Sequence, residues 1–512
     1  MSRPMRMGAA AGVVSLSVLL SRLLGLGREA LLASLIGLNT SGDLYRDAFA
    51  IPDFLNYLLA GAYLTITLIP ILSRHLENGD EQRASEAFTS IFRFVGWAVL
   101  GITAAMWLAA DPLVSLIFPK VVEHERLVYL TRLVLPAQVF LVTGALLIAV
   151  QYTHRRFTIP ALAPLVYNIG IIAGGLIGAA VGDPSPESFL WGAVAGSAVG
   201  NFGLQYLGAR STGTWLTKVR RENSAVREYL WLALPLMLGQ SIAVLDEQFV
   251  RWFGQIEVGA TSALSFARQI NMVPVGVIAQ AAGVAAYPFL ARLAAGGDSE
   301  GLTRTTSRAA RNTVFVAAGA TAALVVLARP IVRLLYQYGK FTAADADLVA
   351  SLLVIYAFSI PAWGLHQILS RHFYAKRKMW TVVVIGTIGT VIAVPTWLGL
   401  HELLGVEGFA LASTLVMVTY SLGLLWAWGR DSGWEAVRRL APSLLRGVVS
   451  AAIGALLAYP LVNLMFGNEL GIVSGLLAAM VGGITAIGAF LGVAYLLRAP
   501  ELRDLLRRGT KA

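Results

Sequence analysis

The feature that most constrains this chain is a succession of apolar stretches, each long enough to cross a lipid bilayer, joined by short polar connectors. They lie near residues 9–36, 44–73, 86–110, 127–153, 158–181, 187–208, 227–254, 259–291, 311–337, 346–374, 379–400, 404–428, 446–466 and 470–497. One spanning helix takes roughly 20 apolar residues. Stretches of this kind, repeated almost end to end over 512 residues, leave no length for a soluble core. Only 13% of the residues are charged, about half the share of a soluble domain, and the 51 glycines suit helices that pack closely in lipid. The expected fold is an all-α integral membrane protein of about fourteen transmembrane helices. Residues 1–215 form an N-terminal lobe of six helices and 216–432 a C-terminal lobe of six; 433–512 supply two further helices and a basic tail.

Several functions are excluded or disfavoured at this level. There is no cysteine, so disulfide frameworks, thiolate metal sites and cysteine nucleophiles are absent. No GxxxxGK[ST] loop occurs, which removes ATP as a direct energy source and leaves passive transport, membrane potential or an ion gradient. His366 and His372 share a stretch but carry no metal-ligand spacing, and no cofactor is expected. The formal charge of +11 is not gathered into a run or a soluble domain that could hold nucleic acid. It falls mostly on alternate connectors: Arg74, Arg83, Arg155, Arg156, Lys218, Arg220, Arg221, Arg304, Arg308, Lys376, Arg377, Lys378, Arg438 and Arg439. The positive-inside rule then puts these connectors and both termini in the cytoplasm. The opening segment, basic at Arg3 and Arg6, continues past Arg22 and Arg28 without a cleavage site and reads as a retained first helix.

The halves echo one another. Asp111–Phe118 reads DPLVSLIF and Arg329–Tyr336 reads RPIVRLLY; each precedes one long helix and a basic turn, His154–Arg156 or Lys376–Lys378. Six helices per half imply a parallel repeat about an axis along the membrane normal, an architecture that rocks around a central cavity.

Arginine inside a span is costly unless it snorkels, pairs or faces water. Arg22, Arg28, Arg46, Arg93, Arg132, Arg251, Arg268 and Arg371 all fall inside the apolar stretches. Arg22 and Arg28 are about 9 Å apart along the first helix and about 120° apart around it. Their planar forks suit phosphate oxygens, so they are the leading candidates to grip an anionic, phosphate-bearing substrate. Glu29, Asp43, Asp47 and Asp53 lie close by in sequence, with Pro52 able to kink the second helix. These carboxylates fit either a buried ion-pair network or substrate contact, and Glu29 is also a gating candidate. Asp246 is a candidate for coupling to an ion or proton or, equally, for pairing; its five-residue spacing to Arg251 is poor for a bond along one helix face. Arg268, Gln269 and Asn271 form a polar patch before Pro274.

Ser21-Arg22-Leu23-Leu24-Gly25 with Arg28-Glu29, Asp47-Ala48-Phe49 through Ile51-Pro52, and Ile69-Pro70-Ile71-Leu72 resemble the opening of the MurJ/MviN lipid II flippase family. Arg156-Phe157-Thr158-Ile159-Pro160-Ala161, Ala163-Pro164, Asn168-Ile169, Tyr338-Gly339-Lys340-Phe341-Thr342 and Phe373-Tyr374-Ala375 extend that resemblance over the whole chain. It implies a fourteen-helix member of the MATE-like exporter superfamily in the bacterial inner membrane. Such a protein moves a polyprenyl-diphosphate peptidoglycan precursor, lipid II, from the cytoplasmic to the outer leaflet by alternating access, and is no enzyme. It further implies that Arg22 and Arg28 bind the pyrophosphate, that Asp43 and Asp53 occupy functional positions of helix two, and that the last two helices line a groove for the lipid tail. The family's arginine of helix eight falls here on Gln269, beside Arg268; a helix-two cation is Asn56 and a nearby acidic position is Gly61. These departures leave room for another polyprenyl-diphosphate saccharide.

Overall fold

The structure is a computed structural model and describes residues 7–59, 63–219, 225–241, 245–466 and 472–502. Gly61, Arg3, Arg6, Arg220, Arg221 and the basic tail after residue 502 lie outside the described residues, as do the side chains of Asp246 and Glu247.

The described residues are helical almost throughout. The chain runs through α1 (Met7–Leu35), α2 (Thr40–Asp47), α3 (Ala50–Leu59), α4 (Tyr63–Glu77), α5 (Glu81–Leu108), α6 (Ala110–Ile117), α7 (His124–Val134), α8 (Ala137–Thr153) and α9 (Thr158–Ala180). Then come α10 (Pro186–Gly196), a π segment at Ser197–Gly203, α11 (Leu204–Arg210), α12 (Ala225–Ser241), α13 (Leu245–Gly254), α14 (Ala260–Pro274), a second π segment at Val275–Gln280, and α15 (Ala281–Ala295). The remainder is α16 (Ser299–Tyr336), α17 (Ala343–Ala357), α18 (Ile360–Ala375), α19 (Met379–Leu404), α20 (Val406–Ser432), α21 (Trp434–Arg438), α22 (Ala441–Phe466) and α23 (Ile472–Leu496). Among the described residues nine helical stretches are long and apolar enough to cross a membrane. The shorter helices are pieces of the other apolar stretches, and the whole is consistent with fourteen spans. Where a span is broken the cause is local: Pro274, which has no N–H to continue the ladder, immediately precedes the second π segment.

Packing divides the chain into two compact units, Met1–Ser262 with Tyr338–Phe341, and Ala263–Gln337 with Thr342–Ala512. The lobes drawn on the sequence count helices and break at 215 and 432. The packing division instead gathers α12 and α13 into the first unit and α22 and α23 into the second.

In the first unit a core of Leu68, Leu72, Phe88, Ile91, Leu146 and Tyr229 joins α4, α5, α8 and α12. Helices α9 and α10 meet through facing glycines. A Cβ on Gly170 would sit 2.7 Å from the carbonyl oxygen of Gly192, and one on Gly192 would sit 2.3 Å from that of Gly170. The backbones approach this closely because neither carries a side chain there. In the second unit, Leu369, Phe373, Leu424 and Trp428 tie α18 to α20, and Phe315 with Phe490 fixes α23 against α16. The outer faces of α22 and α23 remain apolar and exposed at Leu445, Leu456, Leu464, Ile484 and Leu496, as lipid contact demands.

The basic turns that echo one another in sequence fold identically. Arg155 has φ 55° and Arg377 φ 57°. Past each, an amide reaches back five residues, Arg156 N–H to the Gln151 carbonyl at 2.9 Å and Lys378 N–H to the Phe373 carbonyl at 2.8 Å. Both are helix C-caps of the Schellman type with arginine at the left-handed position usually given to glycine.

Candidate site on the opening helices

The site is built within the first unit from α1, α2, α3, α9 and α13. Ser21 and Arg28, seven residues apart, lie nearly on one stripe of α1. Asn168 of α9 bridges that stripe: its Oδ1 accepts from Arg28 Nη1 at 3.3 Å and its Nδ2 donates to Ser21 Oγ at 3.4 Å. The Asn168 amide is itself held by donation to the Pro164 carbonyl at 2.9 Å. Arg28 Nη2 donates to Glu29 Oε1 at 2.7 Å, and Arg46 Nη2 of α2 donates to Glu29 Oε2 at 2.7 Å. One carboxylate therefore neutralises two guanidinium groups, and its side chain is only 4% exposed. Glu29, a gating candidate on sequence, is placed as the clamp between α1 and α2. Arg28 Nε is buried without a hydrogen-bond partner, so its fork is not fully used.

Arg22 stands differently. It is exposed on α1, and no hydrogen bond or ion pair engages it among the described residues. Of the two arginines singled out on sequence, Arg28 sits in a network and Arg22 makes no such bond among the described residues.

Asp53, in the first turn of α3, accepts from Arg251 Nη2 of α13 at 2.7 Å. Arg251 thus pairs across the unit, and its Nη1 is buried without a hydrogen-bond partner. Asp43 is almost fully buried, and its oxygens accept from the backbone N–H of Gly259 at 2.6 Å and of Ser262 at 2.8 Å. These amides open α14, so Asp43 is an N-cap supplied by another helix, where the helix dipole favours negative charge. Asn56 is half-buried on α3. Arg268 and Gln269 are half-buried on the part of α14 that belongs to the second unit. There Asn271 Nδ2 donates to Ser359 Oγ at 3.3 Å, gluing α14 to the turn before α18.

Three members of this cluster escaped the sequence-based choice of site residues. Arg46 and Arg251 were visible as costly charges, and Asn168 as part of a motif; what could not be seen was that they close the network around Arg28 and Asp53. Chemically the cluster is a set of guanidinium forks in a low-dielectric setting, held in orientation by carboxylates and one amide and bearing unused donors. Such a surface binds oxyanions.

Residues 32–490 match the family model described as "Lipid II flippase MurJ". A probable lipid II flippase MurJ of Rhizobium meliloti (strain 1021) is 26% identical over 462 residues, covering 86% of this chain and 84% of that protein. The lipid II flippase MurJ of Burkholderia cenocepacia is 27% identical over 393 residues, covering 74% and 75%. Among solved structures, a lipid II flippase MurJ in an inward closed conformation superposes with a TM-score of 0.77 at 19% identity, over 96% of this chain and 99% of that one. An inward-facing multidrug-resistance MATE transporter gives 0.61 at 14% identity, over 83% and 95%; the superfamily fold expected from the sequence is present. A buried arginine network on the opening helices, a multi-pass helical fold of this type and a family match over nearly the entire length agree: the chain belongs to the lipid II flippase MurJ family.

Proposed function

We propose that this protein is a lipid II flippase that carries the undecaprenyl-diphosphate-linked peptidoglycan precursor from the cytoplasmic to the outer leaflet of the bacterial inner membrane by alternating access. The observation that carries the reading is the family match over residues 32–490, and the arginines of α1 supply its chemistry. A diphosphate headgroup cannot enter a low-dielectric site without cationic partners. Arg22, unengaged and exposed, makes the first contact; Arg28, oriented by Glu29 and Asn168, offers its remaining donors as the phosphate displaces part of that network. The polyprenyl tail stays in lipid against α22 and α23. Membrane potential or a monovalent cation drives the cycle, with Asp246 as a coupling residue, and both termini lie in the cytoplasm.

The test is complementation of a bacterium depleted of its own lipid II flippase. Arg22→Ala and Arg28→Ala are expected to insert into the membrane at normal levels and to fail to support growth; normal growth of both variants defeats the assignment. A second reading, a flippase for a different polyprenyl-diphosphate saccharide, rests on Asn56, Gly61 and Gln269, where charges expected of the family are missing. Native mass spectrometry of the detergent-extracted protein with lipid II and with other polyprenyl diphosphates, in wild type and Arg28→Ala, separates the two.

A further inference from the structure

Asp47 is the one carboxylate of the opening cluster that nothing above uses. It ends α2, four residues after Asp43, so the two carboxyls share a helix face. Both are buried, Asp47 to 2% exposure, but their surroundings differ. Both oxygens of Asp43 accept backbone N–H groups at the start of α14, whereas Asp47 Oδ1 has no hydrogen-bond partner. Among the described residues, the charged groups that act on Asp47 are Asp43, Arg251 and Arg46; Arg251 also bonds Asp53, and Arg46 bonds Glu29. Helices α7 and α10 pack against α2, and no ion pair from either reaches Asp47 among the described residues. Arg126 is engaged by Glu123, Glu187 and Ser41, Arg132 donates to the Trp107 carbonyl, Glu125 is exposed, and Glu187 is held by Arg126. A charged carboxylate buried with an unsatisfied oxygen costs several kcal/mol, and the usual escape is to take up a proton. When two acids lie this close and only one has donors, the other carries the proton.

We propose that Asp47 is a proton-binding site, occupied in the arrangement described here, and that the protonated form is the one that accepts the anionic diphosphate. Whatever the balance of its neighbours, ionising Asp47 adds one buried negative charge beside Arg46 and Arg251, and that charge disfavours an anionic headgroup. Proton and diphosphate therefore bind with positive linkage, each raising the affinity for the other. This second half rests on the flippase reading; the proton site does not.

Infrared spectroscopy of the purified protein tests the site directly. Asp47→Asn is nearly isosteric with the protonated acid and is expected to fold. Wild type at neutral pH should show the carbonyl stretch of a protonated carboxyl that disappears in Asp47→Asn and persists in Asp43→Asn. Absence of the band from wild type, its survival in Asp47→Asn, or its loss only in Asp43→Asn overturns the proposal. Titration with undecaprenyl diphosphate tests the linkage: wild type should bind more tightly as pH falls, and Asp47→Asn should bind with the tighter affinity at every pH. A pH dependence equal in both proteins removes the linkage. A wild type with the Asp47 band but no affinity for undecaprenyl diphosphate at any pH removes the flippase reading and leaves the proton site standing.

Discussion

The two units place their charges differently. In the first, Arg28, Arg46 and Arg251 fall in the apolar stretches of the sequence and are paired, largely buried, with Glu29 and Asp53. In the second, the ion pairs gather at helix ends. Arg329 and Arg333 in the last turns of α16 hold Asp347 at the start of α17. His372, Lys376 and Lys378 converge on Asp431 in the last turn of α20, and Arg311 meets Glu501 beyond α23. Arg371, within α18, lies over the rings of Tyr287 and Tyr374 at 5.8 and 5.9 Å, one turn from the helix end. These pairs clamp neighbouring elements together, and several of their members, Arg333, His372 and Glu501, are themselves buried. Charge within an apolar stretch is expensive, and in the first unit it is offset by carboxylates on neighbouring helices.

That contrast is open to attack. The most severe blow is Glu29→Ala, which leaves Arg28 and Arg46 buried, adjacent and uncompensated. Removing one partner of a buried pair costs about 3–5 kcal/mol, so the detergent-solubilised variant should unfold at a markedly lower temperature or fail to accumulate. A wild-type melting temperature would mean the first-unit network is not the strut described. Next is Asp53→Asn, which strips Arg251 of its carboxylate while keeping the shape. The Asp53 side chain is 26% exposed, so the expected loss is smaller, about 1–3 kcal/mol, and repair by the double change Asp53→Asn with Arg251→Met would identify the unpaired charge as its source.

In the second unit, Asp431→Asn removes the acceptor shared by His372, Lys376 and Lys378. A loss of about 1.5–3 kcal/mol is expected, seen as a lower melting temperature, with complementation retained, because this cluster clamps α18 to α20. Failure of complementation at full expression would erase the division of labour between the units. The smallest effect belongs to Arg304→Ala, which breaks an exposed pair with Glu300 on α16. About 0.3–0.5 kcal/mol is expected for a surface pair four residues apart, and growth should not change.

The sequence set the succession of apolar stretches, and with it the helical membrane fold, because hydropathy over a span-length window is a local property that water and lipid read directly. It also exposed the arginines worth asking about, since a charge inside a span declares its own cost, and the turns at His154–Arg156 and Lys376–Lys378, whose matching caps follow from neighbouring residues. Tertiary structure alone chose the partners. Asp53 and Arg251 are 198 residues apart and Arg28 and Asn168 are 140 apart; no periodicity links them, and the pairings arise only when α1, α3, α9 and α13 pack. The same packing separated Asp43, which accepts backbone N–H groups from a helix start more than two hundred residues later, from Asp47, one turn away, whose Oδ1 has no donor. In sequence the two aspartates look alike; burial and the direction of a few N–H groups made them different acids.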